Sequence, residues 1–245
     1  MVQPLNSNHL AHPPSPFSGK STPEFSGPTR KETPLSEAKS YYNLAKANAY
    51  FGLLPPTTSE EQSQPQSQPQ SHPRILLEER ALDSYFNILF SIIEFWRHAG
   101  GGSGNWPEHL TIVSHAFKRR RLLEGHCAAI GFPLERVNYV GINPPLVDEL
   151  FGPDYVSPSL EGTAEGEKAS VMRQGVQLTL GQWAKDPHGV SEEVASKRRE
   201  RNWWKVDQRL FFSDEERARS GVKTVLFEDG SEALTDEGIA PLWAK

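Results

Sequence analysis

Four consecutive cations, Lys118 to Arg121, stand in the stretch "IVSHAFKRRRLLEGHCAAIGF", between a predicted buried strand and a predicted helix. A helix begins with partial positive charge, so basic side chains in its first turn are unfavourable by roughly 0.3–1 kcal/mol each. Three explanations compete: an anion site that uses the cations and the helix end, a solvated helix face, or a nuclear-import or nucleic-acid signal. The local sequence leaves all three open.

The spacing within the run of four cations predicts different roles for its residues. Lys118 and Arg121 are three positions apart, which places them on neighbouring sides of a first helical turn, and we predict that they bind an anion. Arg119 and Arg120 point elsewhere and are expected to be solvated. Ser114 ends the preceding strand and is a further candidate. An import signal needs accessible extended chain, so the predicted strand weakens that interpretation.

Another group of polar residues, Ser26, Gly27, Thr29 and Arg30, follows a short predicted strand at Glu24-Phe25. It offers two hydroxyls, a flexible backbone and a fixed cation before a helix that Ser36 is predicted to cap. Such a combination suits a phosphate or carboxylate. A simple turn is the alternative explanation.

A third group consists of Glu79, Asp83, Ser84 and Asn87. Asp83 is a candidate N-cap, and that structural role alone would explain it. Asn87 stands one turn inside a helix that is otherwise almost wholly apolar. It is therefore a candidate for a hydrogen bond across the sheet edge or for ligand contact.

These groups are positioned by a regular alternation of strands and helices. Strands are predicted at 74–79, 110–114 and 136–142, and helices at 83–100 and 117–132, after a first helix from Ser36 to Gly52. Such alternation indicates a parallel sheet with helices on both sides. Ligands bind at the carboxyl ends of strands in these sheets, where the three groups would meet.

The chain divides into three parts by composition. Residues 1–22 are rich in Pro, Ser and Asn and are predicted to be disordered. Residues 23–189 form the predicted α/β domain, with a Gln/Pro/Ser-rich insertion at 55–73 and a last long helix at 165–189 that stops at Asp186-Pro187-His188-Gly189. Residues 190–245 are predicted to be a charged, weakly structured tail containing Trp203 and Trp204.

Composition excludes several functions. A net charge of -5 argues against general nucleic-acid binding. The single cysteine, Cys127, excludes an internal disulfide and a cysteine-based zinc cluster, and it is expected to be buried. The sequence shows no metal-ligand pattern, no GxGxxG, Walker or GxSxG motif, no cofactor signature and no nucleophile–base pair. Without a signal peptide or an apolar run of about 18 residues, we expect a cytoplasmic protein with no membrane segment.

The motifs "FSGPTR…PLSEAKSY", "LLEERALDSYFNILFS", "LTIVSHAFKRRRLLEGH" and "VNYVGINPP" together resemble the SanA/YdcF-like domain family, also called domain of unknown function 218, and especially its fungal branch. The stretches "GEKA", "DPHG" and "KRRERN" resemble the continuation of that branch. The likeness covers about residues 25–204.

The resemblance implies a Rossmann-like three-layer α/β sandwich whose loops surround a polar pocket. The residues that match motif positions are Ser26, Gly27, Thr29, Arg30, Ser36, Glu37, Glu79, Asp83, Ser84, Asn87, Ser114, Lys118 and Arg121. Pro28 replaces a family glycine and removes a backbone donor. Lys118 stands where many bacterial members have histidine, so an imidazole acid–base role is not carried over.

The resembled family begins with a buried strand and a glycine-rich turn, for which residues 1–22 offer no counterpart. We therefore expect either a truncated or mispredicted chain, the explanation that we favour, or a sheet that lacks its first strand and has an unpaired central edge. An N-terminally incomplete sheet and an incomplete pocket are expected in both cases. The expected function is binding of a small anionic or nucleotide-like ligand by Arg30, Lys118 and Arg121, with a hydrolase or transferase reaction compatible with that site. The alternative is a non-catalytic interaction protein that uses the basic helix and the tryptophan-containing tail.

Overall fold

The computed structural model describes residues 24–27, 31–54, 75–102, 105–143, 164–235 and 243. The helices are α1 (Glu37–Ala47), α2 (Ser84–His98), α3 (Ala128–Ile130), α4 (Ala164–Lys185), α5 (Glu192–Arg201) and α6 (Asp214–Ser220). The strands are β1 (Glu24–Ser26), β2 (Leu76–Glu78), β3 (Leu110–Ser114), β4 (Val137–Gly141), β5 (Thr224–Leu226) and β6 (Glu232–Leu234).

The predicted parallel pairing is present in two small sheets. β1 pairs with β2 and β3 pairs with β4, both in parallel, whereas β5 and β6 form an antiparallel pair. Parallel neighbours need a crossover connection, and α1 lies between β1 and β2 in the chain, as α3 does between β3 and β4. The fold is therefore mixed α/β. Within the described residues the two parallel pairs are separate, so they do not form the single continuous sheet that we expected.

α2 is the central element of the core. Its residues are apolar nearly all round, which is typical of a helix buried on most sides, and eight of its fifteen residues are buried. At its C-terminal end Trp96 stacks on Trp106 with ring centroids 5.0 Å apart, and Trp243 meets Trp106 edge to face at 4.9 Å.

The connection between β3 and β4 is helical at the predicted place but not a regular α-helix. A 3-10 turn (Ala116–Lys118) precedes a π-helix (Arg121–Cys127), which runs into α3 and ends at Gly131 with φ 73°. The apolar face of the predicted helix is buried and consists of Leu122, Leu123, His126, Cys127 and Ile130. Burial raises the pKa of the Cys127 thiol to about 12. The cysteine is thus a small core residue and not a reactive thiol.

The predicted weakly structured tail does not match the structure of residues 190–235. Val194, Leu210, Phe211 and Leu234 join the same core as α2. The charges of this region serve as internal partners: buried Glu232 accepts hydrogen bonds from the Leu210 and Phe211 N–H groups at 2.8 and 3.1 Å. The apolar residues of this region are few and stand among charged residues, so they give little periodic signal. The sequence therefore did not predict that residues 190–235 contribute to the core.

Several predictions fall outside the described residues, namely those for 1–22, 55–73, Thr29 and Arg30. In the part of the chain that the structure describes, no helix combines the length and apolar character needed to cross a membrane.

Candidate functional site

The candidate site is built around the N-terminus of α2. Asp83 caps this helix: its Oδ1 accepts from the N–H groups of Tyr85 and Phe86, both at 3.0 Å. Its Oδ2 accepts from Arg198 Nη1 at 3.2 Å, and both side chains are buried. Burial raises the pKa of Asp83, and the charge of Arg198 and the capping bonds oppose that shift. α5, which carries Arg198, therefore forms one wall of the site.

Beside the cap, Ser84 meets an imidazole. Its Oγ lies 2.9 Å from His126 Nε2. His126 is fully buried and packs edge to face on Trp183, with ring centroids 4.5 Å apart. Burial, and next the charge of Arg121, lowers the pKa of His126 to about 3. The imidazole is therefore uncharged at neutral pH, and its Nδ1 has no hydrogen-bond partner among the described residues.

The π-helix explains why Arg121 and His126 act on each other. They are five positions apart, and in an α-helix such residues point about 140° away from each other. Hydrogen bonds from i to i+5 widen the turn, so the two ends of one π turn come onto the same side. The Arg121–Cys127 turn thereby places the guanidinium near the buried imidazole.

Two cations lie half-buried next to each other at the start of this helix. Burial lowers the pKa of Lys118; the neighbouring Arg121 lowers it further and Glu37 opposes the shift. Burial also lowers the pKa of Arg121, against the opposing effects of Tyr139 and Asp83. The Arg121 Nε is shielded from solvent and has no hydrogen-bond partner in the described part of the chain.

The end of β1 is pressed against the start of α1. A Cβ added at Gly27 would lie 2.6 Å from the Cβ of Glu37, so only glycine fits there without a shift. The Gly27 N–H donates to the Glu78 carbonyl at 3.2 Å. That amide is therefore used by the sheet and does not contribute a free donor to an anion cradle.

Ser36 caps α1 as predicted. Its Oγ accepts from the Lys39 N–H at 2.9 Å and donates to Glu79 Oε1 at 2.5 Å. This pair ties the beginning of α1 to the end of β2. The exposed Glu79 carboxylate thus orients a helix cap.

The structure brings together part of the predicted site. Asp83, Ser84, Lys118 and Arg121 belong to one network of hydrogen bonds and electrostatic interactions, and Gly27 packs against its edge at Glu37. The N–H of Asn87 donates to the Asp83 carbonyl at 3.0 Å as part of α2.

Ser114 is linked to this network through Tyr139, which also interacts with Arg121. The Ser114 side chain hydrogen-bonds the Tyr139 phenol, and the Ser114 carbonyl accepts from the Ile142 N–H at 2.9 Å. Ser26 ends β1, and Thr29 and Arg30 lie outside the described residues.

Several members of the site were not among the predicted residues: Tyr85, His126, Trp183, His188 and Arg198. The Tyr85 hydroxyl lies 2.7 Å from His188 Nδ1, and its ring stacks on Trp183 with centroids 5.7 Å apart. A histidine on the apolar face of a helix was the one visible signal for His126. The turn at 186–189 was the signal for His188, but its sequence indicated only a helix end.

That turn has a positioning role. The Asp186 carboxylate accepts from the N–H groups of Val190 and Ser191, both at 2.9 Å. Gly189 has φ 65°, and a Cβ there would lie 2.8 Å from both Arg198 Nη1 and the Trp183 ring. The tight turn therefore lets α4 and α5 reach the N-terminus of α2 together. In the described residues, no group of three or more His, Cys, Asp or Glu side chains is placed to hold a metal ion.

Comparison with known proteins gives one distant relative. The chain is 36% identical over 70 residues to the "Uncharacterized protein YOR238W" of Saccharomyces cerevisiae, a match that covers 29% of this chain and 22% of the yeast protein. No protein-family model and no solved structure matches the chain. The relationship thus covers less than a quarter of the relative and supplies no function.

Proposed function

We propose that this chain has the Rossmann-like sandwich of the SanA/YdcF-like family and binds a small anionic ligand, with a phosphate group as the recognised part, as in a nucleotide. The anion would contact Lys118 and Arg121 beside the N-terminus of α2. The observation that carries the proposal is the Arg121 Nε, a charged donor shielded from solvent and without a partner among the described residues.

Burial of a charged donor without an acceptor is unfavourable. A second cation at close range adds repulsion, which is why Arg121 lowers the pKa of Lys118. Glu37 and Asp83 offset part of this charge, but Asp83 also neutralises Arg198. An anion between Lys118 and Arg121 removes the repulsion and supplies the missing acceptor, and guanidinium groups bind phosphate oxygens with favourable geometry.

A second candidate function, partner binding by the C-terminal segment, has its own support. Trp203 and Trp204 are 55% and 51% exposed and follow α5, whose last turn contains Arg198, Arg199 and Arg201. The Lys31 ammonium lies 4.7 Å from the Trp203 ring centroid. Aromatic residues are enriched at protein interfaces. This surface lies on other residues than Lys118 and Arg121, so mutations separate the two functions.

Thermal unfolding in inorganic phosphate tests the anion site. At ten times the dissociation constant, phosphate should add about 1.4 kcal/mol to the free energy of unfolding, a shift of a few degrees in Tm relative to chloride at equal ionic strength. The double variant K118A/R121A should lose this shift.

The matched control is R119A/R120A, which removes the same charge from the same run. Both side chains are exposed, and Arg120 pairs with the exposed Glu124 at 3.3 Å. This variant should keep the phosphate response. An equal loss of the Tm shift in both double variants would show that phosphate stabilises the protein through its surface charge in general. The absence of any Tm shift in the unmutated chain would refute the site.

A further inference from the structure

Ser84 and His126 add a reactive pair to the proposed anion site. We infer that Ser84 is a nucleophile that accepts a phosphoryl group from a phosphate monoester or anhydride bound on Arg121 and Lys118, with His126 as its base. This inference rests on the proposed function, because the cations must first hold the phosphoryl group.

The geometry suits proton transfer from the serine. The Ser84 Oγ to His126 Nε2 distance of 2.9 Å is within the range for a general base and the proton that it removes. Ser84 is half-buried, whereas the imidazole beside it is fully buried. The base therefore touches its nucleophile but is screened from bulk water.

The surroundings of Ser84 also favour developing negative charge. Ser84 is the first residue of α2, where the helix dipole stabilises anions, although the Tyr85 and Phe86 N–H groups already donate to Asp83. Arg121 is close enough to lower the pKa of His126 and to interact with Asp83. The oxygens of a phosphoryl group bound to Arg121 would thus lie in a region of positive potential next to the serine.

His126 differs from the histidine of a catalytic triad because no carboxylate contacts its Nδ1 within the described residues. Tyr85 from α2 and Trp183 from α4 fix the ring by packing. Burial is the larger cause of the lowered pKa of His126, and the charge of Arg121 is the second. A phosphoryl anion on Arg121 offsets the second cause alone, so bound substrate would make His126 a stronger base than it is without substrate.

The reaction needs no further reactant than water. Ser84 Oγ forms a bond to phosphorus while the bond from phosphorus to the leaving oxygen breaks and its electron pair stays on that oxygen. The Ser84 proton moves to His126 Nε2 and then to the leaving oxygen. Water attacks the phosphoserine with the same base, and inorganic phosphate and free Ser84 result.

The test uses the full chain with dinitrophenyl phosphate, whose released phenolate is coloured. Acid-quenched samples are analysed by mass spectrometry for one added phosphoryl group. We expect phenolate release and a phosphoryl group on the peptide that contains Ser84. Ser84→Ala should abolish both, and His126→Gln should slow adduct formation about 100-fold or more, the usual contribution of a general base.

Ser91→Ala is the matched control, because Ser91 lies two turns further along α2 and is half-buried like Ser84. It should react as the unmutated chain does. A cooperative thermal transition checks the folding of each variant. If His126→Gln does not fold, the unmutated chain still reports on the base: adduct formation should be slower in deuterium oxide than in water.

The outcomes separate this inference from the proposed function. Phosphate-dependent stabilisation without any adduct would refute the nucleophile and leave the anion site intact. An adduct on a residue other than Ser84 would refute the assignment of Ser84. An adduct on Ser84 that forms equally fast in folded His126→Gln, or without a solvent isotope effect, would refute the role of His126.

Discussion

At the scale of single residues, the Asp83–Arg198 ion pair has consequences for stability. Both side chains are buried, and Asp83 also receives two backbone hydrogen bonds. Arg198→Met would leave the carboxylate buried without its counter-charge. Breaking a buried pair in this way costs about 3–5 kcal/mol, so we expect a loss of this size in the free energy of unfolding measured in urea near neutral pH.

The same variant should show a defined pH dependence. Burial already raises the pKa of Asp83 above its ordinary value of 3.8, and loss of Arg198 raises it further. The native variant then binds a proton more readily than the unfolded chain, so its free energy of unfolding falls as pH rises through that raised pKa. The difference from the unmutated protein should therefore be largest near neutral pH and shrink on acidification.

Arg199→Met is the control for the Arg198 experiment. Arg199 is the next residue of α5, but it is exposed and pairs with the exposed Glu192. Exposed ion pairs contribute little to stability, so this variant should unfold as the original does. A similar loss in both variants, or a loss in Arg198→Met that does not diminish at acid pH, would contradict the role of the Asp83 pair.

At the scale of elements, the sequence predicted the positions of most helices and strands but not every helix type. The 110–114 strand was predicted to the residue, because an apolar run ended by Ser114 is a strong signal. The 117–132 segment was predicted as a regular helix, and its buried face is as expected. The proximity of Arg121 and His126 was not predicted, because it depends on a π-helix. Sequence periodicity is interpreted with the 3.6 residues per turn of an α-helix.

The turn after α4 is an element whose backbone can be tested directly. Gly189 has a left-handed conformation, and a Cβ there would meet Arg198 and Trp183 at 2.8 Å. Gly189→Ala should cost at least about 1–2 kcal/mol from backbone conformation alone. Movement of Arg198 away from Asp83 adds to this loss, which thermal unfolding would measure.

Gly175→Ala is the matched control, since Gly175 lies inside α4 with nothing within 4 Å of an added Cβ. Alanine there should stabilise the protein by roughly 0.5–1 kcal/mol, because glycine is unfavourable in a helix interior. The two glycine-to-alanine substitutions should therefore change the free energy of unfolding in opposite directions. A Gly189→Ala variant as stable as the original would show that the turn does not fix Arg198.

At the scale of the whole molecule, the core joins regions that the sequence did not connect. The predicted α/β segment supplies α2 and the buried residues of the π-helix Arg121–Cys127. Val194, Leu210 and Phe211 come from the predicted tail. Local periodicity identifies helices and strands, but it does not show which distant segments pack together. Arg198 was missed as a site residue for the same reason: its partner Asp83 is far away in the sequence.

The packing of this C-terminal segment is tested by two neighbouring phenylalanines. Phe211 is fully buried and meets Trp96 edge to face with centroids 6.0 Å apart. Phe212 is 48% exposed and contacts the guanidinium groups of Arg97 and Arg80 at 4.1 and 4.7 Å. Phe211→Ala should cost about 3–5 kcal/mol as a core truncation. Phe212→Ala should cost about 1–2 kcal/mol through the two cation–π contacts.

Urea unfolding followed by tryptophan fluorescence would measure both phenylalanine variants, because Trp96 reports on α2 directly. If residues after 190 pack into one core with α2, Phe211→Ala lowers the midpoint of that single transition. If the segment instead unfolded independently, Phe211→Ala would leave the main transition in place, since a residue outside a cooperative unit does not contribute to its free energy of unfolding. Equal small effects of the two variants would therefore contradict the common core and, with it, the position of Arg198 at the site.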